Sequence, residues 1–365
     1  MSEQLNRRQL LRGLLGSAAS LALAPPLFAQ IGPAAGIITL RSNENPYGPS
    51  PKALKAAAEA LRKGAYYPGS IRRDLLNVIA EKNRLSAENM LLSSGSNEGL
   101  QAAMVAYGKK GKVLLPELTY SDHLGYAQRM GVELVRVPLN DDMSIDLDGM
   151  AAAVDDSISM VYICNPNNPT GMALDGDKLR DFCKTVSRKA VVLIDEAYNE
   201  LTDDPEYTSM VDLVRAGENV LVMRTFSKIF GMAGLRVGYG MGRPDIATLV
   251  GGHVMAWGNG VGMTAAYHSY RDEEFIAFSR DKILQGRKMV VETFRRNGIE
   301  PLPSQANFVY ADIGRDATVF QKQMETRHIE IRGAFQDFTN FSRVSMGRIE
   351  DLEVFDRVFT EVFNS

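Results

Sequence analysis

The 365-residue sequence holds only two cysteines, Cys164 and Cys183, and four scattered histidines, His123, His253, His268 and His328. So few thiols exclude a disulfide framework, and without a CxxC pair or a histidine cluster no metal site is expected. No apolar run reaches the ~20 residues of a membrane-spanning helix, so no stable membrane span is expected. Lys and Arg number 41 against 44 Asp and Glu, a formal charge of −3, and no basic block is present, which argues against nucleic-acid partners. A GxSxG elbow and a GxxxxGK[ST] loop are both missing, which removes the Ser-His-Asp hydrolase and P-loop readings. The composition that remains, 45% hydrophobic and 23% charged, suffices for a large buried core and excludes a disordered chain. At ~150 residues per domain the length predicts two domains.

The first thirty residues differ from the rest. Asn6-Arg7-Arg8-Gln9-Leu10-Leu11-Arg12 sets an arginine pair before leucines, a mild Gly/Ala/Leu stretch runs from Gly13 to Ala24, and Pro25-Pro26 follow. Residues 1–29 resemble a twin-arginine export signal cleaved after Ala29, which implies a periplasmic protein exported already folded, with the cytoplasm as the alternative.

From residue 89 to 242 short apolar runs alternate with helical patterns: Met90–Ser93, Val113–Leu115, Glu133–Val137, Met160–Cys164, Val191–Ile194, Val220–Met223 and Leu235–Tyr239. Several are apolar on both faces, as strands covered by helices are. They predict an α/β fold with a doubly wound, mostly parallel seven-stranded sheet, whose ligands lie beyond the carboxyl ends of its strands. A long helical stretch from Met263 to about Asn297 follows. Strand-like Phe308–Ala311, a helix over Ala317–Thr326, two short strands and a last helix then read as a smaller α+β domain. The expected organisation is a segment 30–64 packing on the small domain or a dimer partner, a large domain 65–262 and a small domain 263–365.

Polar residues gather at the predicted strand ends. Lys228, in Arg224-Thr225-Phe226-Ser227-Lys228, follows the run Val220–Met223. Most lysines are solvated surface charges, but one set against apolar walls and another cation loses its proton, as a Schiff-base nucleophile must. The hydroxyls of Thr225 and Ser227, with Arg236, suit a phosphate. Asp195 follows four apolar residues, and a carboxylate buried there needs a cation such as a pyridinium nitrogen. Tyr198 brings a phenol close by, and Glu196 suits a supporting role. The turn Asn165-Pro166-Asn167-Asn168-Pro169-Thr170-Gly171 offers the Asn168 amide, although turn chemistry alone explains most of it. In Ser93-Ser94-Gly95-Ser96-Asn97-Glu98, ahead of a helix expected over Gly99–Tyr107, free amides suit a phosphate, and an ordinary helix cap would look similar.

These motifs together resemble the histidinol-phosphate aminotransferase group of fold-type I pyridoxal-phosphate enzymes, the class I/II aminotransferases. The likeness runs from Ser42-Asn43-Glu44-Asn45-Pro46-Tyr47-Gly48-Pro49 to Arg343-Val344-Ser345-Met346-Gly347. It implies pyridoxal 5'-phosphate as cofactor, held by Lys228 as a Schiff base, and Lys228 as the shuttle for the substrate proton. It further implies that Asp195 pairs with the ring nitrogen, that Asn168 and Tyr198 bond the ring oxygen, and that Tyr120 stacks on the ring. Gly95, Ser96, Asn97, Thr225, Ser227 and Arg236 would form the phosphate cup. Tyr67 would reach the phosphate of a neighbouring subunit, which implies a homodimer. Tyr47, Arg332 and Arg343 would face the substrates, a small-molecule amino donor (histidinol-phosphate-like or aromatic) and a 2-oxo acid acceptor such as 2-oxoglutarate. Two departures from the family pattern lie on the substrate side. His123 stands where another aromatic is usual, and Gly333-Ala334-Phe335-Gln336 follows Arg332 without a proline. A decarboxylase or lyase acting on a phosphorylated amino acid is the alternative on the same scaffold, and a non-catalytic pyridoxal-phosphate-binding protein is the third reading.

Overall fold

Strands apolar on both faces must be covered on both, and the computed structural model, which describes residues 33–255 and 257–365, sets seven strands in one sheet, most of them buried on both faces. The leader read at residues 1–29 lies outside the described residues. Residues 33–37 belong to a separate N-terminal unit and close a turn through Ile37 N–H to the Ala34 carbonyl (3.0 Å). Residues 38–365 make up the other unit.

In that unit β1 (Ile38–Leu40), α1 (Pro51–Leu61) and α2 (Gly69–Lys82) precede the sheet. There follow β2 (Met90–Ser93), α3 (Gly95–Gly108), β3 (Lys112–Pro116), α4 (Leu124–Arg129), β4 (Leu134–Val137), α5 (Leu147–Ala152) and β5 (Ile158–Cys164). Then come α6 (Gly176–Val186), β6 (Val191–Asp195), α7 (Pro205–Thr208), α8 (Val211–Arg215), β7 (Val220–Thr225) and β8 (Gly238–Gly242). The rest comprises α9 (Pro244–Gly251), α10 (Gly260–Tyr270), α11 (Glu273–Arg296), β9 (Phe308–Asp312), α12 (Ala317–Glu325), β10 (Ile329–Ile331), β11 (Phe341–Ser345) and α13 (Ile349–Phe363).

The sheet order is β2-β8-β7-β6-β5-β3-β4, with β8 antiparallel to both neighbours and the other pairs parallel. The parallel register aligns Cys164 with Asp195 and Asp195 with Met223, so β5, β6 and β7 end along one edge. Two apolar cores fill the spaces on either side, one centred on Leu114, Val161, Val192 and Val222, the other on Leu115, Tyr162, Leu193 and Met223. β1 pairs in parallel with β10, and β9 with β11 antiparallel, which ties the chain before the sheet to the segment after it.

Three expectations need correction. The seventh strand is Gly238–Gly242, not Leu235–Tyr239: Ala233–Leu235 form a short 3-10 turn, and Arg236 at φ 53 reverses the chain before the strand begins. Its glycines hide it from β propensity, yet a Cβ on Gly238 would collide with the backbone of Gly95 and Ser96. Helix α3 starts at Gly95 rather than Gly99, because the Glu98 carboxylate accepts the Ser94 N–H (2.6 Å) and Gly95 enters at φ +73. The long helical stretch is two helices broken at Arg271–Asp272, where the Lys52 ammonium meets the Asp272 carboxylate (2.7 Å).

The residue after Asp195 holds the sheet edge in place. Glu196 is fully buried and accepts two hydrogen bonds from the Arg224 guanidinium of β7 (3.0 and 2.7 Å). It also accepts Met210 N–H (2.7 Å) and the Ser209 hydroxyl (3.0 Å). Removing one partner of such a pair leaves an uncompensated buried charge. Glu196→Ala is therefore expected to destabilise the fold by about 3–5 kcal/mol, read as a lower midpoint of denaturant unfolding; an unchanged midpoint would contradict this account.

Candidate active site

The carboxyl edge of the sheet opens into a cavity of about 490 Å³. Lys228, Asp195, Tyr198, Asn168, Tyr120, Ser96, Asn97, Thr225, Ser227, Arg236, Arg332 and Arg343 line it. Gly95 sits just behind, because a side chain there would run into the Arg236 guanidinium. The chain from Arg41 to Glu44 closes the opposite wall.

At the floor, β6 ends in Asp195, which is buried. Burial raises its pKa to about 7, opposed by the Ala197 backbone N–H and by the charge of Lys228. Its Oδ2 lies 3.5 Å from the Tyr162 hydroxyl and 3.9 Å from the Cys164 thiol, whereas Oδ1 has no hydrogen-bond partner. An unpaired buried carboxylate oxygen is costly. A cation bearing one N–H donor is the group it lacks, and a protonated pyridine ring fits that description.

Beside it, the Tyr198 hydroxyl accepts from the Asn43 amide (3.1 Å) and the Asn168 amide (3.3 Å), and burial pushes its pKa up. The Asn168 carbonyl in turn accepts from the Arg343 guanidinium (2.5 Å). Lys228 extends from the loop after β7 with its Nζ 3.0 Å from the Asn43 carbonyl and 5.6 Å from the centre of the Tyr198 ring. Burial first, then the like charges of Arg343 and Arg236, lowers its pKa to about 8 against the pull of Glu44 and Asp195. A lysine in this state supplies a free amine near neutral pH.

The far corner gathers hydrogen-bond donors. Thr225 and Ser227 share a hydroxyl contact of 2.8 Å, and the first turn of α3 presents Ser96 and Asn97. Arg236 is braced there by the carbonyls of Ala233 (2.8 Å) and Ser94 (3.3 Å). A helix N-terminus with adjacent hydroxyls and a guanidinium suits a phosphate dianion.

Tyr120 borders this corner, its hydroxyl 3.3 Å from Asn97 Oδ1 and 3.2 Å from Asp122 Oδ2. His123 stacks on its ring (5.6 Å) and meets Tyr162 edge-on (4.7 Å). The imidazole is fully buried with neither nitrogen partnered, and burial lowers its pKa to about 3, so the ring is neutral.

Two of the anticipated residues stay outside the cavity of this chain. The Tyr47 hydroxyl accepts the Ile349 N–H at the start of α13 (3.0 Å), and its ring packs edge-on against Phe278 (5.7 Å). Tyr67 is 87% exposed and tilts against Trp257. Conversely, sequence reasoning did not single out Asn43, whose left-handed φ of 54 turns its carbonyl to Lys228 and its amide to Tyr198. A lone asparagine in a polar loop carries no sequence signal for this; only its place in the Ser42–Pro49 run pointed to the region.

Residues 35–357 match the family model for class I and II aminotransferases. The histidinol-phosphate aminotransferase of Moorella thermoacetica is 34% identical over 89% of this chain and 85% of its own length. Among solved structures, the histidinol-phosphate aminotransferase of Clostridium acetobutylicum superposes with a TM-score of 0.83 at 26% identity, covering 90% of this chain and 99% of that one. The Sinorhizobium meliloti enzyme of the same name, in complex with pyridoxal-5'-phosphate, gives 0.80 at 26% identity over 94% and 99%. The unpaired oxygen of Asp195, the half-buried amine of Lys228 and the phosphate-sized donor corner fit that cofactor. The chain belongs to the class I and II aminotransferases, and it is a pyridoxal-phosphate-dependent transaminase of fold type I.

Proposed function

We propose that this transaminase moves an amino group between an amine phosphate or amino acid, histidinol-phosphate-like or aromatic, and a 2-oxo acid such as 2-oxoglutarate. The observation that carries the reading is the convergence of Lys228, Asp195 and Arg343 on one cavity. The names of the relatives support a phosphorylated donor, and the aromatic residues around the cavity suit a ring-bearing one.

In this reading Ser96, Asn97, Thr225, Ser227 and Arg236 hold the cofactor phosphate, Asp195 accepts the ring N–H, and Tyr198 with Asn168 bonds the ring oxygen. Tyr120 covers the ring face. When bound, pyridoxal phosphate supplies an electron-withdrawing ring that stabilises negative charge at the substrate α-carbon. Asp195 would keep the ring nitrogen protonated, because its Oδ1 has no other hydrogen-bond partner in the floor of the cavity. Lys228 carries the proton at Nζ to and from the α-carbon, its lowered pKa letting it act as base and then as acid. Arg343 takes the substrate carboxylate and passes its orientation to Asn168 and Tyr198 through the 2.5 Å bond. Arg332 stands further out, at the rim, for a second anion.

The active unit in this proposal is a homodimer. The exposed Tyr66, Tyr67, Met255 and Trp257 make up an apolar surface suited to a second copy, which would place Tyr67 at the neighbouring phosphate. Export through the leader at residues 1–29 belongs to the same proposal. Cell fractionation should find the protein in the periplasm beginning at Gln30, and a purely cytoplasmic, full-length protein would refute export.

Lys228→Ala should lower turnover at least about a thousandfold and abolish the visible absorbance of the wild-type holoenzyme. Mixed with Tyr67→Phe chains, it should restore wild-type cofactor affinity to the hybrid's Lys228-bearing site; no rescue, with a monomer mass by light scattering, would remove the dimer.

Asp195 also predicts a pH dependence. Its folded pKa is raised, so in the cofactor-free chain its stabilising share is full below about pH 4 and is lost as pH rises to about 7. Relative to Asp195→Asn, the cofactor-free wild type should lose up to about 4 kcal/mol over that window. Loading with pyridoxal phosphate should shrink the loss. Parallel stability curves for the two cofactor-free proteins would mean that Asp195 carries no such strain.

A further inference from the structure

Arg332 and Arg343 face one another across an antiparallel bridge, each N–H bonded to the other's carbonyl at 3.0 Å. Directly opposed residues of a hydrogen-bonded pair project to the same face, and like charges placed so repel. Among the described residues neither guanidinium has a carboxylate within ion-pair distance.

The two are held very differently. Arg343 is buried, bonded to the Asn168 carbonyl (2.5 Å) and the Arg41 carbonyl (2.8 Å), and lies between the rings of Phe308 (5.2 Å) and Phe335 (4.8 Å). Its Nε is buried without a partner. Arg332 is exposed, and among the described residues no hydrogen bond or ion pair holds its guanidinium. What it meets is the ring of Phe335, at 5.0 Å.

One ring thus receives both cations, and the ring is itself fixed. Phe335 meets Tyr310 edge-on (6.3 Å, 89°) and bridges Phe338 across the turn that joins β10 to β11. Aromatic faces attract guanidinium, which offsets part of the repulsion between the pair while no anion is present. A substrate with one carboxylate neutralises Arg343 alone. A substrate with a further anion neutralises both.

We infer that Phe335 is a specificity-determining positioning residue: its ring holds the Arg332 guanidinium at the cavity rim, at a set separation from Arg343, and so selects substrates that carry a second anion beyond the α-carboxylate. This rests on the reading that Arg343 takes the α-carboxylate. Without the ring, the long Arg332 side chain extends into solvent, and the second anion must then order it at the cost of its rotamer entropy.

The test compares 2-oxoglutarate with 2-oxopentanoate, alike in chain length but differing in the distal carboxylate, as acceptors for the holoenzyme at full cofactor loading. Wild type should prefer 2-oxoglutarate. Phe335→Leu should cut that preference in kcat/KM about fivefold, through KM for 2-oxoglutarate rather than kcat. Phe335→Tyr should keep it, and Arg332→Gln should lower it at least as far as Phe335→Leu does. A Phe335→Leu enzyme that keeps the preference while Arg332→Gln loses it overturns the role of the ring. Equal losses for both acids in Phe335→Leu overturn a role in specificity. A preference unmoved in both variants, or absent in wild type, overturns the second-anion reading and the proposal with it. A wild type that uses neither acid overturns instead the acceptor assignment on which the proposal rests.

Discussion

The site depends on a carboxylate placed where the fold cannot satisfy it. Asp195 ends a strand whose four preceding residues are buried, and its Oδ1 finds no donor among the described residues. Such a group either takes up a proton or waits for a cation, and its raised pKa shows the first tendency. A ligand that brings its own positive N–H into the floor of the cavity relieves it while it stays ionised. The surrounding apolar strands, which stabilise the sheet, are the reason that relief is worth much.

The neighbouring Glu196 shows the contrast. It is as deeply buried, but Arg224 and two further donors satisfy it. One acid is locked as scaffold and the adjacent one is left open, although both follow the same strand. The difference lies in side-chain direction: successive residues point to opposite faces, so Glu196 turns toward β7 and α8 while Asp195 turns toward the cavity. The scaffold acid thereby fixes the strand end that carries the open one.

Much of this could be read from the chain alone, and the failures have physical causes. Six of the seven strands announce themselves as β-rich apolar runs, because parallel strands are covered on both faces. The seventh, Gly238–Gly242, escapes because close approach to Gly95 and Ser96 selects against the side chains that signal a strand. Lys228, Asp195 and Asn168 stand out because polar residues at the ends of apolar runs are costly and therefore informative. Asn43 and Phe335 do not: Asn43 acts through Tyr198, 155 residues away, and Phe335 through the guanidiniums of Arg332 and Arg343, near in sequence but set on its ring by the pairing of their backbones. Tyr47 and Tyr67 were legible only by likeness to the family, and within one chain neither lines the cavity.

The cavity as a whole is a balance of charges set at different depths. Lys228 is lowered toward neutral by burial and by the nearby guanidiniums, while Glu44 and Asp195 resist that lowering. Arg343 is itself lowered to about 10, chiefly by burial, which is tolerable because Asn168 and Arg41 accept from its two terminal nitrogens and two aromatic rings face its charge. Under the proposed function, a substrate carboxylate on Arg343 offsets one of the charges depressing the lysine.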